Sequence, residues 1–243
     1  MAIEVFNRYE KKYLLNEETY RKILKIMDVK MVLDSHNKNH TPYTITNIYY
    51  DTEDNYLIRK SLEKPEYKEK LRLRAYGTPK PDSLVFLEIK KKFNGLVNKR
   101  RTTISLEEAY EFIRTGKAPE LKDYMNPQVI KEIEYFLKVY DLVPKTYLAY
   151  DRIAYFAKDD PDLRISFDRN VRARRYEVRS EAGDHGRLLL SPNTYLMEIK
   201  SARAMPLWLT EALSALQIKR VSFSKYGTEF KTRNETAGVK IAV

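Results

Sequence analysis

The sequence predicts an α+β fold, in which a large antiparallel sheet is accompanied by helices within a single domain over residues 1–243. Many short segments alternate apolar and polar residues, and turn sequences such as Gly77-Thr78-Pro79 separate them. Four other segments carry apolar residues at helical spacing behind a capping residue or a proline. No internal repeat or Gly/Ser-rich linker divides the chain.

Each predicted helix has a start signal, and one has a glycine that marks its end. Asparagine and serine side chains cap the first N–H groups of a helix, and proline is tolerated in its first turn. The first helix starts at Asn16 and runs to about Met27, and the second starts at Ser105 with Glu108 and ends at Gly116. The third starts at Asn126-Pro127 and the fourth at Pro206.

The predicted strands make up most of the remaining chain. They are rich in β-branched and aromatic residues, which favour strands. They are Ile3–Leu15, Tyr43–Tyr50, Tyr67–Tyr76, Leu84–Lys92, Val97–Ile104, Lys145–Phe156, Leu163–Asp168, Ala173–Arg179, Leu188–Leu190, Thr194–Lys200 and Ile218–Phe223.

Five of these strands carry charge on one face and apolar residues on the other. Lys70, Arg72 and Arg74, for example, lie opposite Leu71 and Leu73. One interpretation is an open sheet whose charged face is solvated. The other is a closed barrel whose charged faces line a solvent-filled lumen, with helices packed outside. A cationic lumen of this kind suits a multiply charged phosphate with a divalent cation.

Composition excludes several classes of site. Cysteine is absent, which rules out disulfides, thiol catalysis and cysteine-bound metals. The three histidines, His36, His40 and His185, lie in polar stretches, which argues against a three-histidine zinc site or a Ser-His-Asp triad. The N-terminus does not resemble a signal peptide and no apolar run is long enough to span a membrane, so we expect a cytoplasmic location.

The net charge of +11 is concentrated in one region. Residues 59–101 hold 14 basic and 5 acidic residues, whereas residues 107–141 hold 5 basic and 8 acidic ones. Such a local field indicates a polyanionic partner. Glycine-rich phosphate-binding loops are absent, so arginine and lysine side chains would have to hold the phosphates.

Eight motifs, in order from about Phe6 to Lys231, carry a resemblance to a known family. They are Arg8-Tyr9-Glu10-Lys11-Lys12-Tyr13, Ile48-Tyr49-Tyr50-Asp51, Lys70-Leu71-Arg72-Leu73-Arg74-Ala75-Tyr76-Gly77, Phe86-Leu87-Glu88-Ile89-Lys90, Tyr150-Asp151-Arg152, Leu163-Arg164-Ile165-Ser166-Phe167-Asp168, Leu196-Met197-Glu198-Ile199-Lys200 and Phe223-Ser224-Lys225-Tyr226. The chain resembles the catalytic domain of the vacuolar transporter chaperone family, the polyphosphate polymerase branch of the triphosphate tunnel enzymes.

The resemblance implies a closed antiparallel eight-stranded tunnel with a cationic lumen. It also implies that ATP donates phosphoryl groups to a growing polyphosphate chain, with manganese or magnesium as cofactor. The residues it implies as catalytic are Lys12, Arg72, Arg74, Lys90, Arg152, Glu198 and Lys225. Those it implies as phosphate-binding are Arg8, Lys99, Arg101, Tyr150, Arg164, Lys200 and Ser224, with Lys60 or equally Arg59 as a further basic position. Those for the metal are Glu198, Glu10 and Glu88, of which Glu10 and Glu88 could instead be partners of neighbouring lysines.

The sequence departs from the family's motifs at two positions. Arg8 stands where wider tunnel enzymes carry the first of two glutamates, which puts a two-metal hydrolytic site in doubt. Ser222 stands where the family has a second basic residue, which Lys219 or Arg220 could replace. Eukaryotic members also carry a phosphate-sensing domain and membrane helices, for which this sequence has no counterpart.

Other functions stay open from the sequence. A triphosphate hydrolase or nucleotidyl cyclase on the same fold would share the basic residues, but would favour more acidic residues in the lumen. A non-catalytic polyphosphate- or RNA-binding module would also explain the charge. We expect no nucleic-acid partner, because the basic residues alternate along strands instead of lining an exposed groove. Oligomeric state is not indicated.

Overall fold

The computed structural model describes residues 9–94 and 96–236. Within these ranges the chain forms eleven strands and six α-helices. The strands are β1 (Tyr9–Asn16), β2 (Met31–Leu33), β3 (Tyr43–Asp51), β4 (Tyr67–Tyr76), β5 (Leu84–Phe93), β6 (Leu96–Ser105), β7 (Val143–Ala157), β8 (Arg164–Arg174), β9 (Arg187–Leu188), β10 (Thr194–Ser201) and β11 (Arg220–Val221). The helices are α1 (Glu17–Met27), α2 (Tyr56–Leu62), α3 (Leu106–Thr115), α4 (Pro127–Val139), α5 (Leu207–Ala215) and α6 (Lys225–Thr236).

The strands form one antiparallel sheet, which confirms the predicted class but not the closed eight-stranded barrel. The order is β11-β1-β10-β8-β7-β3-β4-β5-β6, with β2 paired to β7 and β9 to β8. No backbone pairing joins β6 to β11 or β1 in the described ranges, so the sheet is open and has eleven strands. At Lys12 and Tyr13 the edge of β1 is already paired with the short strand β11, so β6 has no free strand edge to pair with there.

The open sheet nevertheless curls, so that strands distant in its order face each other. Glu10 on β1 acts on the pKa of Lys90 on β5, although five strands lie between β1 and β5 in the sheet order. The sheet therefore has a concave face, on which these charged side chains meet, and a convex face.

Apolar residues on the convex face pack against the helices. Leu71 and Leu73 are fully buried there, in a cluster that includes residues of α3 and α4. A second cluster joins β1, β8 and β10 to α1 and α5. Because the apolar residues of each strand are buried on the convex face, the residues that alternate with them lie on the concave face.

The predicted helix starts are confirmed. The side chains of Asn16, Ser105 and Asn126 each accept hydrogen bonds from the first turn of α1, α3 and α4. Gly116 ends α3 with a φ of 69°, the left-handed conformation that glycine adopts without strain. Helix α5 follows Pro206 as predicted, whereas α2 and α6 were not predicted.

The predicted strand over Ala173–Arg179 is wrong beyond its first two residues. Strand β8 runs on to Arg174, whose guanidinium donates to the carbonyl oxygens of Glu177, Arg179 and His185. The chain after Arg174 therefore folds back around this buried side chain and does not continue as a strand.

Helix α6 lies on the concave face of the sheet and covers one end of it. Thr146 and Leu148 share a face of β7 with Tyr150 and Arg152 by alternation. The Thr146 hydroxyl donates to Glu229 of α6 at 3.3 Å, and Leu148 packs in one buried cluster with Tyr226 and Phe230 of α6.

The buried carboxylate of Asp51 joins α2 and α6 to the end of β3. It accepts hydrogen bonds from the backbone N–H groups of Leu57 at 2.8 Å and Ile58 at 2.9 Å. It also accepts one from the Tyr226 hydroxyl at 2.9 Å. One side chain therefore sets the start of α2 and the position of the first turn of α6.

We expect Asp51→Ala to lower the free energy of unfolding by about 3 kcal/mol, because buried donors lose a charged acceptor. The matched control is Asp54→Ala, an exposed aspartate nearby, for which we expect a loss of about 0.5 kcal/mol or less. Urea denaturation of both variants measures the difference. Equal losses would contradict the anchoring role of Asp51.

Candidate functional site

One cluster of charges on the concave face is centred on Glu88 of β5. Its carboxylate, with a side chain only 1% exposed, lies 2.6 Å from Arg72 Nε and 2.7 Å from Lys99 Nζ. Arg74 Nη1 is 3.9 Å away. Although burial acts in the opposite direction, these three cations hold the pKa of Glu88 well below its usual range. Glu88 is thus a fixed negative charge that gathers cations from β4 and β6.

Neutral side chains orient the two arginines of this cluster. Arg74 Nε donates to Asn47 Oδ1 at 3.0 Å, and its Nη2 donates to the Tyr150 hydroxyl at 3.2 Å. Arg72 Nη1 donates to the Tyr49 hydroxyl at 3.1 Å. Hydrogen bonds at several nitrogens fix the plane of each guanidinium, which is the geometry required for forked recognition of a phosphate.

A second cluster is centred on Glu198 of β10 and Asp168 of β8. Arg152 binds both oxygens of Asp168, at 2.6 and 2.8 Å, and lies 3.3 Å from Glu198. Lys225, the first residue of α6, lies 2.6 Å from Asp168 and 3.0 Å from Glu198. Burial acts to raise the pKa of Glu198, but Lys225 and neighbouring cations hold it well below its usual range.

Glu10, Lys12 and Lys200 lie beside this cluster. Lys12 Nζ is 3.1 Å from Glu10 and 3.6 Å from Glu198, and Lys200 Nζ is 3.8 Å and 3.4 Å from the same two carboxylates. Burial and the charge of Glu198 act to raise the pKa of Glu10, but Lys200, Lys12 and Lys90 together lower it to about 2. Glu10 is therefore ionised at neutral pH and a poor proton acceptor.

Tyr150 of β7 links the two clusters. Its hydroxyl accepts the hydrogen bond from Arg74, while its ring lies under Lys225 at 4.4 Å and beside Arg152 at 5.2 Å. Contacts of cations with an aromatic face are attractive. The Glu88 and Glu198 clusters thus form one continuous cationic surface.

Two lysines on this surface make no ion pair or hydrogen bond with any described residue. Burial and the positive charges of Lys90, Lys68 and Lys12 together lower the pKa of Lys70 to about 8, against an opposing effect of Tyr49. Burial also lowers the pKa of Lys90, which is partly offset by the attraction of Glu10. Their positive charge is not neutralised by a close partner and is available to an anion.

The concave face has more positive than negative charges. Among the described residues, the cations that pair with Glu10, Glu88, Asp168 or Glu198, together with Lys70 and Lys90, number nine, against these four carboxylates. The cationic ones are Lys12, Lys70, Arg72, Arg74, Lys90, Lys99, Arg152, Lys200 and Lys225, and the acidic ones are Glu10, Glu88, Asp168 and Glu198. An excess of this size, on a concave surface, favours a multiply charged anion.

Several sequence-predicted phosphate ligands do not join this group. Lys60 points outward from α2 and pairs with exposed Glu63 at 2.8 Å, which contradicts its assignment. The Ser224 hydroxyl accepts a hydrogen bond from the Gly227 N–H and so caps α6. Arg8 lies outside the described residues.

Arg101 and Arg164 lie towards the end of the concave face that α6 leaves open. Arg164 Nη2 donates to Asp34 at 3.0 Å and to the Tyr43 hydroxyl at 3.3 Å. The guanidinium carbon of Arg101 is 4.6 Å from the centre of the Phe86 ring. Both arginines therefore flank the charged region and are not part of its two clusters.

Four residues of the site have no role assigned to them from the sequence: Asp168, Lys70, Asn47 and Tyr49. Lys70 shares a strand face with Arg72 and Arg74, and this alternation could have identified it. Asp168 lies in the same alternating series as Arg164 and could have been found in the same way. No local pattern identifies Asn47 and Tyr49, because they matter through cross-strand pairing with Arg74 and Arg72.

The three glutamates predicted for a metal do not converge. Glu10 and Glu198 both contact Lys12 and Lys200, but Glu88 is held separately by arginines and a lysine of the opposite strands. Across residues 9–94 and 96–236, no three histidine or acidic side chains gather as metal ligands. Glu88 therefore lies apart from Glu10 and Glu198, and the structure brings only the latter two together. In the same ranges, no helix has the length and apolar character of a membrane span.

Comparison with known proteins identifies what this chain is similar to. The family model of the VTC domain matches residues 7–233. Subunit 4 of the vacuolar transporter chaperone complex from Schizosaccharomyces pombe is 27% identical over 204 residues, which cover 75% of this chain. The match covers 28% of that relative's length.

Two solved structures share the fold. A protein described as an adenylate cyclase, from Bacillus halodurans, superposes with a TM-score of 0.56 at 15% identity, covering 91% of this chain and 96% of its own. A protein from Hippeastrum, described as an adenylyl cyclase with a dominant triphosphatase activity, superposes with a TM-score of 0.53 at 14% identity. The match covers 98% of this chain and 97% of that protein.

The site predicts that binding of tripolyphosphate weakens as pH rises from 6.5 to 8.5. Burial and the positive charges of Arg74 and Arg72 outweigh the attraction of Glu88, so that together they lower the pKa of Lys99 to about 7. An anion favours the protonated amine, so binding above pH 7 takes up a proton, and affinity falls by up to about tenfold per pH unit.

Calorimetric titration of wild type and Lys99→Arg over this range measures the effect. The arginine stays charged, so its profile should be flatter, whereas the exposed control Lys117→Arg should follow wild type. Because ionisation of the ligand is common to all three proteins, only the difference between profiles reports on Lys99. Identical profiles for wild type and Lys99→Arg would contradict the proton uptake.

Proposed function

This chain belongs to the VTC domain family, and we propose that it transfers the γ-phosphoryl group of ATP to the end of a polyphosphate chain. The observation that carries this proposal is the concave face with nine cations against four carboxylates, two of whose lysines lack a close partner. Such a surface neutralises the charge of two polyanions, donor and acceptor, that otherwise repel each other.

The arginines position the phosphates in this proposal. Arg72 and Arg74 present guanidinium planes held by Glu88, Asn47 and Tyr150, so little ordering is needed when a phosphate binds. Binding two phosphate groups in line replaces an unfavourable encounter in solution by a unimolecular step.

The lysines neutralise charge that moves during transfer. Lys70 and Lys90 have no competing ion pair among the described residues, so their positive charges can pair with the phosphoryl group during transfer. Lys12, Arg152 and Lys225, in the cluster around Glu198 and Asp168, supply further positive charge on the other side of the concave face. Phosphoryl transfer depends mainly on such positioning and electrostatic stabilisation.

No general base is required for the proposed reaction. The terminal oxygen of a polyphosphate is already ionised, so no proton has to be removed before attack. The carboxylates on the face are poor bases, as the pKa of Glu10 near 2 illustrates. This favours transfer to a phosphate acceptor over activation of water.

Glu10 and Glu198 would hold a divalent cation together with the phosphates of a bound substrate. The two carboxylates share Lys12 and Lys200, and the charge of Glu198 acts to raise the pKa of Glu10, so a cation there relieves their repulsion. Magnesium is commonly held by one or two carboxylates together with substrate phosphates. When bound, the metal supplies further neutralisation of phosphate charge.

We expect purified protein incubated with ATP and manganese to form a ladder of polyphosphate that exopolyphosphatase digests. Arg72→Ala should reduce ladder formation by about 100-fold, because it removes a fixed donor to the transferring phosphates. Arg72→Lys should recover only part of the loss, since it keeps the charge without the fork. Arg59→Ala, at an exposed position on α2, is the control.

A gel assay and ATP consumption measure both variants. Release of orthophosphate without a ladder would contradict the polymerase direction and indicate hydrolysis. Ladder formation by Arg72→Ala at the wild-type rate would contradict its assigned role.

The variant Glu198→Gln distinguishes metal binding by this carboxylate from phosphate binding by the cations of the concave face. Removing this carboxylate leaves the cations in place, so tripolyphosphate binding in EDTA should stay the same or tighten by a few-fold. ATP-dependent product formation in manganese should fall by about 100-fold, because a metal ligand is lost. Glu18→Gln on the exposed face of α1 serves as the control. Wild-type turnover by Glu198→Gln would make Glu198 a structural partner of its lysines only.

A further inference from the structure

The charged lining of the concave face changes to aromatic side chains at its open end. Alternation places Tyr76 on the face of Arg74, Phe86 on that of Glu88 and Tyr43 on that of Asn47. We call Tyr43, Tyr76, Phe86 and the nearby His36 the aromatic mouth. All four lie at the end opposite α6.

The rings of the aromatic mouth form one cluster. Ring centres of Tyr43 and Tyr76 are 5.8 Å apart, and those of Tyr76 and Phe86 are 6.0 Å apart in an edge-to-face arrangement. His36 lies 6.3 Å from Tyr76, with the two planes at 23°. Tyr76 is 48% exposed and the His36 side chain 71% exposed, so ring surface is available to a ligand.

Cations and an anchored loop frame this cluster. Arg101 stacks on Phe86, and Arg164 donates to the Tyr43 hydroxyl and to Asp34. Asp34 in turn accepts a hydrogen bond from the backbone N–H of His36 at 3.0 Å, and its carboxylate lies 2.9 Å from the ring nitrogen Nδ1. The position of His36 is therefore tied to the strand that carries Arg164.

The mouth lies close to the phosphate-binding arginines. Tyr76 follows Arg74 by two residues on β4, about 7 Å along the strand. A ligand whose planar group stacks on Tyr76 reaches Arg74 through a spacer of roughly sugar size. A nucleoside triphosphate has a planar base, a sugar and a phosphate chain in that order.

We propose that the aromatic mouth binds the base of the donor nucleotide by stacking, so that the triphosphate enters the concave face from this end. The inference rests on the proposed function, because it takes the cationic face to hold the triphosphate. Stacking on ring faces does not read base edges and is tolerant of base identity. The site thus accepts adenine and guanine alike and prefers either to the smaller pyrimidines.

The test compares ligands that differ only in the nucleoside. Titrations of wild type, Tyr76→Ala and Tyr76→Phe with ATP, GTP, CTP and tripolyphosphate give the dissociation constants, in EDTA to remove any metal. Tyr135→Ala, at a 69% exposed tyrosine on α4, is the matched control. Proton NMR of the base protons of ATP reports ring stacking directly.

We expect Tyr76→Ala to weaken ATP and GTP binding by about tenfold and to leave tripolyphosphate binding unchanged. Tyr76→Phe and Tyr135→Ala should bind all four ligands like wild type. Base protons of ATP should shift upfield with wild type and not with Tyr76→Ala.

Unchanged ATP affinity in Tyr76→Ala, or equal losses for ATP and tripolyphosphate, would overturn the inference. A GTP affinity in wild type far below that of ATP would overturn the stacking mode. Failure of wild type to bind any of the four ligands would instead contradict the proposed function.

Discussion

Three buried carboxylates, Glu88, Asp168 and Glu198, allow the concave face to hold so many cations. Bringing arginines and lysines together out of bulk water costs free energy through desolvation and mutual repulsion. Each carboxylate offsets part of that cost for several cations at once and sets where they lie. The paired cations are thereby ordered in the absence of a ligand, and of the nine cations counted above only Lys70 and Lys90 have no carboxylate partner among the described residues.

The position of α6 connects the stability of the fold to this charge arrangement. Asp51 holds the Tyr226 hydroxyl, and the preceding residue, Lys225, reaches both Asp168 and Glu198. Lys12 donates to the carbonyl of Phe223, just before the helix. Because α6 packs on the concave face, it both closes one end of that face and supplies one of its cations.

Local sequence signals predicted the elements that depend on local physics. The charged and apolar faces of β4 followed from alternation, and the capping residues Asn16 and Ser105 marked two helices. Helix α6 was missed because its sequence is only weakly amphipathic, and Lys60 was misplaced because α2 was not predicted. Closure of the sheet could not be judged, since pairing of the edge strands depends on contacts between distant segments. Asn47 was missed for the same reason.

The unpaired positive charges have a consequence for solution behaviour. In the absence of a polyanion, a surface with this excess of cations collects small counterions from the solvent. A single long polyanion displaces several of them at once, and their release into bulk solution is a favourable gain in entropy. Association is then strongest in dilute salt and falls steeply as the ionic strength rises, more so for a long phosphate chain than for orthophosphate, because each additional phosphate group frees further ions.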